Sequence, residues 1–214
     1  MPVITEISVQ KKDKNRASIF LDGVFFCGIE LVTVMENRLT PGTEIEAERL
    51  SEIAAESERA EAARAALEYA AKYVKSEREI VNKLYQKGYS RAVIEYAVGR
   101  TKEYGYIDDA AFAKGYVAAH AGKYGTDKLK YDLRARGITD ADITAAFEGS
   151  GAGGAAEAEV CRAIAEKYMR GKECTPENRQ KLLRYLQGRG FFGDSLYGAV
   201  RAYFENNEEE NIIE

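Results

Sequence analysis

No stretch of this chain reaches the roughly 18–20 consecutive apolar residues that a membrane span requires, although 45% of its 214 residues are apolar. The first ten residues, MPVITEISVQ, lack the basic-then-apolar order of a secretory signal. Three cysteines, Cys27, Cys161 and Cys174, form no CxxC or other ligand-like spacing. They read as reduced, packed thiols in a cytoplasmic protein with no membrane role. The single histidine, His120, has no Cys or Ser partner at a recognisable motif spacing. A surface or capping role at a helix end is expected for it. Metal-ligand spacings, a nucleophile elbow and a dinucleotide fingerprint are all missing. The sequence therefore predicts no cofactor, no metal and no catalytic residue, and the chain reads as non-enzymatic. A strong charge of one sign is missing too. Lys and Arg number 31 against 35 Asp and Glu, for a net charge of −4. The last ten residues, ENNEEENIIE, hold five glutamates, so the body without them stands at +1. A near-neutral body has little of the charge that drives general nucleic-acid binding.

What the chain does have is a cadence repeated three times. Leu84, Gly88, Ile94 and Ala97 form the first copy, Leu133, Gly137, Ile143 and Ala146 the second, and Leu186, Gly190, Leu196 and Ala199 the third. The spacing inside each copy is the same, and the glycines stand 49 and then 53 residues apart. A period near 50 signals an array of supersecondary units. Such arrays commonly grip other macromolecules.

The first 28 residues read as β. Val3, Thr5, Ile7 and Val9 alternate with Ile4, Glu6, Ser8 and Gln10, giving one mostly apolar face. Ala17, Ile19 and Leu21 alternate again, Asp22-Gly23 supplies a type I′ turn, and Val24 to Cys27 returns. The tip KKDKNR is basic, which fits either a solvated loop or a finger seeking phosphate or acid. No strand is expected beyond Ile29. A short helix fits Ile29 to Asn37, and Pro41-Gly42 breaks it. A long Ala- and Glu-rich helix is expected from about Glu44 to Lys75, with a possible bend in ESERAEAARA.

Each repeat then reads as three helices. In the first, Ser76 and Glu79 make a capping box, Gly88 is a C-cap and Ser90 an N-cap. In the second, Asp108 is an N-cap, Ile107 and Phe112 a hydrophobic staple, Thr126 opens the middle helix and Thr139 caps the last. The pair Asp108-Asp109 does not form a facing carboxylate pair, because adjacent residues diverge on a helix. The GSGAGG stretch lacks the Lys-Ser/Thr and the preceding strand of a phosphate loop, so it reads as a flexible linker. In the third, Thr175-Pro176 sets an N-cap and N1 proline. There Phe192 stands where a cap is needed, which shifts the task to Gly193 or Asp194. The resulting division is 1–59 for a β-hairpin plus helix module, 60–104, 105–148 and 155–205 for the three repeats, 149–154 for the linker and 206–214 for an acidic tail.

A cation precedes each repeat glycine: Lys87, Arg136 and Arg189. In the last helical turn it offsets the macrodipole by about 0.3–1 kcal/mol. The middle helices add Arg78, Lys83, Lys128, Lys130, Arg134, Arg179, Lys181 and Arg184, with fewer acids among them. Two readings stand: a solvated face, or a groove-facing strip that meets acidic protein or phosphate. Tyr85, Tyr89, Tyr131 and Tyr185 interleave with it, as packing residues or interface anchors.

The segments KSEREIVNKLYQKGYSRAVIEYAV (75–98), EYGYIDDAAFAKGYV (103–117) and KLKYDLRARGITDADITAAF (128–147) resemble the RecX family, bacterial regulators of the RecA recombinase. The likeness covers about 60–204, and GYIDDAAFA is its most specific run. It implies a mainly α protein of tandem three-helix repeats in an extended, curved array, here with the small N-terminal β module. It implies a monomer that binds the RecA–DNA filament, with weak direct DNA binding. The implied effect is inhibition of RecA ATPase, strand exchange and co-protease activity in recombination and SOS repair. The binding positions it implies are Lys83, Lys87, Arg91, Lys128, Lys130, Arg134 and Arg136, with Arg179, Arg184 and Arg189 in the third repeat. The competing expectation is a helix-turn-helix-like DNA-binding protein.

Overall fold

A computed structural model describes residues 1–72 and 74–210, the side chains of 207–210 excepted. The expected acidic tail lies for the most part outside the described residues. The chain is mainly helical, with ten helices and one three-stranded sheet among the described residues. It divides into two compact units: Met1–Val74 with Glu79–Ile107, and Lys75–Arg78 with Asp108–Glu214.

Unit one opens with β1 (Ile4–Val9), β2 (Arg16–Leu21) and β3 (Val24–Glu30), an antiparallel meander in that order. Asp22 at φ 46° and Gly23 at φ 82° make the expected tight turn. Two features differ from the sequence reading. A bulge between Ile4 and Glu6 shifts the β1 register, so Ile4 is fully buried while Val9 is exposed. The return strand also runs on to Glu30, because Ala17 and Arg16 continue the pairing to Ile29 and Glu30. Helix α1 spans Leu31–Glu36.

Helix α2 (Ala47–Lys72) runs unbroken through its polar middle. Its first half lays Leu50 and Ile53 against the sheet's Ile4, Ile19 and Ile29. Its second half offers Ala62, Ala66 and Ala70 to α3 (Glu77–Gln86) and α4 (Arg91–Glu103), where Ile80, Leu84, Ile94 and Ala97 complete a second core. One continuous helix thus serves two cores. Polar contacts tie the sheet module to it. Arg64 holds Glu30 through two bonds of 2.7 and 2.9 Å. Arg16 pairs with Glu61, which also bonds the Tyr89 hydroxyl. Burial, with the Glu61 charge, pushes Tyr89 up to about 12.

Unit two carries α5 (Asp109–His120), α6 (Thr126–Ala135), α7 (Asp140–Phe147), α8 (Gly154–Met169), α9 (Pro176–Gly188) and α10 (Gly193–Glu210). Asp108, Thr139 and Thr175 each accept the backbone N–H three residues on, as N-caps do. The expected staple does not close: Ile107 packs in the α2–α4 core and Phe112 in the α5–α7 core.

The thrice-copied cadence has a common physical cause. Leu84, Leu133 and Leu186 are buried, as are Ile94, Ile143, Leu196, Ala97, Ala146 and Ala199. Gly88, Gly137 and Gly190 sit at φ +90°, +84° and +83°. Each glycine N–H donates three residues back, and the next residue's N–H donates to the repeat leucine carbonyl. That is a Schellman stop, which needs a left-handed residue, with a core leucine one turn before it. A fully buried leucine of this kind contributes about 1.5–3 kcal/mol.

Candidate functional site

The ten predicted cations fall into three physical classes. Three are tied to aromatic rings or to the backbone in unit two. The Arg136 guanidinium lies 4.8 Å from the Tyr116 ring centre and donates to Asp132 O at 2.9 Å. Lys128 pairs with Asp132 at 3.3 Å and lies 5.5 Å from the Tyr124 ring. Arg189 lies 4.8 Å from Tyr185 and 5.9 Å from Tyr124, and donates to Lys123 O at 3.2 Å.

A second class is partly committed. Lys83 lies 5.8 Å from the Tyr69 ring and Lys130 5.4 Å from Phe147. Arg91 pairs with Glu95, and Arg134 with Asp140, both at 2.8 Å. These last two pairs are exposed and screened by water, so each yields easily to a partner. The third class is exposed with no ion pair among the described residues: Lys87, Arg179 and Arg184. Arg179 alone of these has a ring contact, 5.9 Å over Phe204.

A column of rings collects the first class. Phe112, Tyr116, His120 and Tyr124 recur every four residues along α5 and just past it, with ring centres 6.1, 4.2 and 6.3 Å apart. The sequence placed Phe112 in a staple and did not reveal the column, whose signal is that strict four-residue spacing. His120 is part of this packing, with Nδ1 2.8 Å from Tyr116 O. A carbonyl only accepts, so Nδ1 carries the proton. Tyr116 donates to Asp132 at 3.1 Å, and burial with the Asp132 charge pushes its hydroxyl upward against the opposing effect of Arg136.

Two of the residues before the glycines, Arg136 and Arg189, have a further role through their backbone carbonyls. Ser76 and Gly125 stand at equivalent places, each twelve residues before its own repeat glycine. The Ser76 hydroxyl donates to Arg136 O at 2.9 Å, and Gly125 N–H donates to Arg189 O at 2.9 Å. At the next position, Glu77 N–H donates to Asp109 and Thr126 N–H to Glu157, at 2.9 and 3.0 Å. Gly137 lies against Arg78, and Gly190 against Lys128. Unit two thus contains the same three-part junction twice: a carbonyl beside the repeat glycine receives the start of a middle helix, and a carboxylate from the first turn of the following repeat caps that helix. A negative charge there suits both the free N–H groups and the helix dipole. The third repeat caps α9 from within, through Thr175 and the N1 proline Pro176.

No three His, Cys, Asp or Glu side chains converge as metal ligands among the described residues. Nor is any described helix long and apolar enough to cross a membrane. Burial raises the Cys161 thiol to about 11, so it is protonated and inert at neutral pH.

Comparison with known proteins agrees with this architecture. Three family models match: the regulatory protein RecX N-terminal domain over residues 2–46, the second three-helix domain of RecX over 108–146 and the third over 155–195. The chain is 30% identical over 217 residues to the regulatory protein RecX of Bacillus subtilis, covering 98% of this chain and 80% of that one. It is 29% identical over 210 residues to that of Clostridium acetobutylicum, covering 95% and 97%. A crystal structure of regulatory protein RecX superposes with a TM-score of 0.64 at 28% identity, over 94% of this chain and all of that one. A crystal structure of RecX from Lactobacillus salivarius, at 21% identity and a TM-score of 0.58, shares the fold over 68% of this chain and 96% of its own.

Proposed function

The chain belongs to the RecX family, and on that premise we propose that it regulates the RecA recombinase by binding the RecA–DNA filament. In this reading it catalyses no reaction. It lies against successive filament subunits in the cytoplasm as a monomer and inhibits RecA ATPase, strand exchange and co-protease activity in recombination and SOS repair. The observation that carries the reading is the distribution of cations that are unpaired or held only by one exposed carboxylate, as Arg91 and Arg134 are. Each three-helix repeat keeps cations off its internal packing: Lys87 and Arg91 in the first, Arg134 in the second, Arg179 and Arg184 in the third. Weak contacts linked on one chain gain effective concentration, so modest repeats sum to tight binding on a polymer. Direct DNA binding is weak, because the body is nearly neutral.

Lys128, Arg136 and Arg189 are assigned a supporting role, since their charges already rest on rings and carbonyls. The test is a titration of the full chain into RecA on single-stranded DNA, read as ATP hydrolysis. Substoichiometric inhibition is expected, and K87E/R179E/R184E is expected to need at least tenfold more protein. Tight binding to naked duplex with a steep salt slope, and no effect on the ATPase, would replace this reading with a helix-turn-helix-like DNA binder.

A further inference from the structure

We propose that the cleft between α9 and α10 in the third repeat receives a protein segment that offers one carboxylate beside one apolar side chain. The proposal deepens the filament-binding reading and rests on it.

The cleft has a volume of about 430 Å³. Arg179 and Leu183 stand one turn apart on α9, and Tyr197 and Arg201 one turn apart on α10. Both guanidinium groups are exposed, and neither has a carboxylate partner among the described residues. Tyr197 is 61% exposed, so its ring face is open to a partner. Between them Gly198 leaves the floor open: a Cβ added there would meet nothing within 4 Å. Arginine and tyrosine around a partly apolar recess are the residue types that dominate protein interfaces.

Charge decides what kind of partner fits. Asp194, in the first turn of α10, also lines the cleft. Two guanidinium groups against one carboxylate leave a net charge of one, which suits a single acid. A guanidinium fork matches a carboxylate bidentately. The Leu183 side of the recess gives a phosphodiester backbone nothing to bind, but it buries an apolar side chain next to that acid. The cleft is also particular to this repeat. At the places of Arg179 and Arg201, counted from the repeat glycine, the first repeat has Glu77 and Gly99 and the second Thr126 and Glu148. The third repeat would therefore fix the register of the chain on its partner, while the other repeats add contacts of lower specificity.

The test measures binding of the full chain to a RecA filament assembled on single-stranded DNA with a slowly hydrolysed ATP analogue. R201E reverses one charge, and G198F fills the recess at a helical site with room for it. Each is expected to raise Kd at least tenfold with an unchanged melting temperature, and R201K by less than R201E. If the wild-type chain binds and both R201E and G198F bind within twofold of it, the cleft proposal falls and the filament reading stands. If the wild-type chain does not bind the filament, both fall. An equal loss by R201E on naked single-stranded DNA would assign the cleft to phosphate and overturn the proposal. So would a tenfold gain on removing residues 207–214 that R201E abolishes, because the occupant would then be the chain's own acidic end.

Discussion

Gly125→Ala isolates the junction that joins the second and third repeats. Gly125 has φ −72° and ψ 159°, extended backbone that alanine adopts without strain. The only objection to a methyl group is space. A Cβ at this position would stand 2.0 Å from Gly190 O, 2.4 Å from its carbonyl carbon and 2.7 Å from Phe191 N. Ordinary contact needs about 3.5 Å, so the two backbones must separate by more than about 1 Å. That separation breaks the 2.9 Å bond from Gly125 N–H to Arg189 O, and Gly125 is buried. An unsatisfied buried donor costs about 1–3 kcal/mol, and overpacking costs about 1–3 kcal/mol more. The combined loss of about 2–6 kcal/mol should appear first as local opening. Amide hydrogen exchange at residues 125 and 191 is expected to accelerate at least about 30-fold. Gly115→Ala is the control. It sits inside α5 with nothing within 4 Å of the added atom, and should stabilise by about 0.5–1 kcal/mol through helix propensity alone. Unchanged exchange in Gly125→Ala would refute the close approach and with it the junction.

Glu157→Ala should cost about 0.5–2 kcal/mol, the usual range for a lost helix cap, read by urea denaturation; no change would mean that Thr126 N–H finds water as readily. Tyr89 gives unit one a stability dependence at alkaline pH. Its folded value near 12 exceeds the ordinary value of about 10, so the folded state favours the neutral phenol. That contribution is complete below pH 10 and is lost as pH rises from 10 through 12. The fall in melting temperature over this window should shrink in Tyr89→Phe, and an identical fall would contradict the assignment. Cys161, fully buried and raised to about 11, should react with a thiol reagent at pH 8 only on unfolding, later than Cys27 and Cys174. Labelling of all three at one rate in the native protein would be inconsistent with its packing.

The helical repeats were legible because their signals are local. A leucine one turn before a left-handed glycine, followed by a capping residue, specifies a helix end and the next start through nearest-neighbour chemistry alone. Asp22-Gly23, Asp108, Thr139 and Thr175-Pro176 were legible for the same reason. The β1 bulge was not, because the register of Ile4 depends on Thr43 and Gly42, which bond its backbone from outside the hairpin. The candidate site was legible only as a set of residue types. A cation in the last turn of a helix looks alike in all three repeats, yet Arg136 and Arg189 are drawn onto aromatic rings and Lys87 is left exposed. The cleft cation Arg201 lay outside every motif, since nothing local marks a guanidinium that will face another helix.

By itself the sequence determined, to within a few residues, where helices begin and end, and how many times the unit recurs. These follow from dihedral preference, capping and apolar periodicity, all of which act within a few residues. Only the tertiary structure decided how each cation is used. Ring faces, carbonyls and carboxylates that compete for a charge come from residues as far apart as Tyr124 and Arg189. Their distances are set by helix packing, which no short stretch of chain contains.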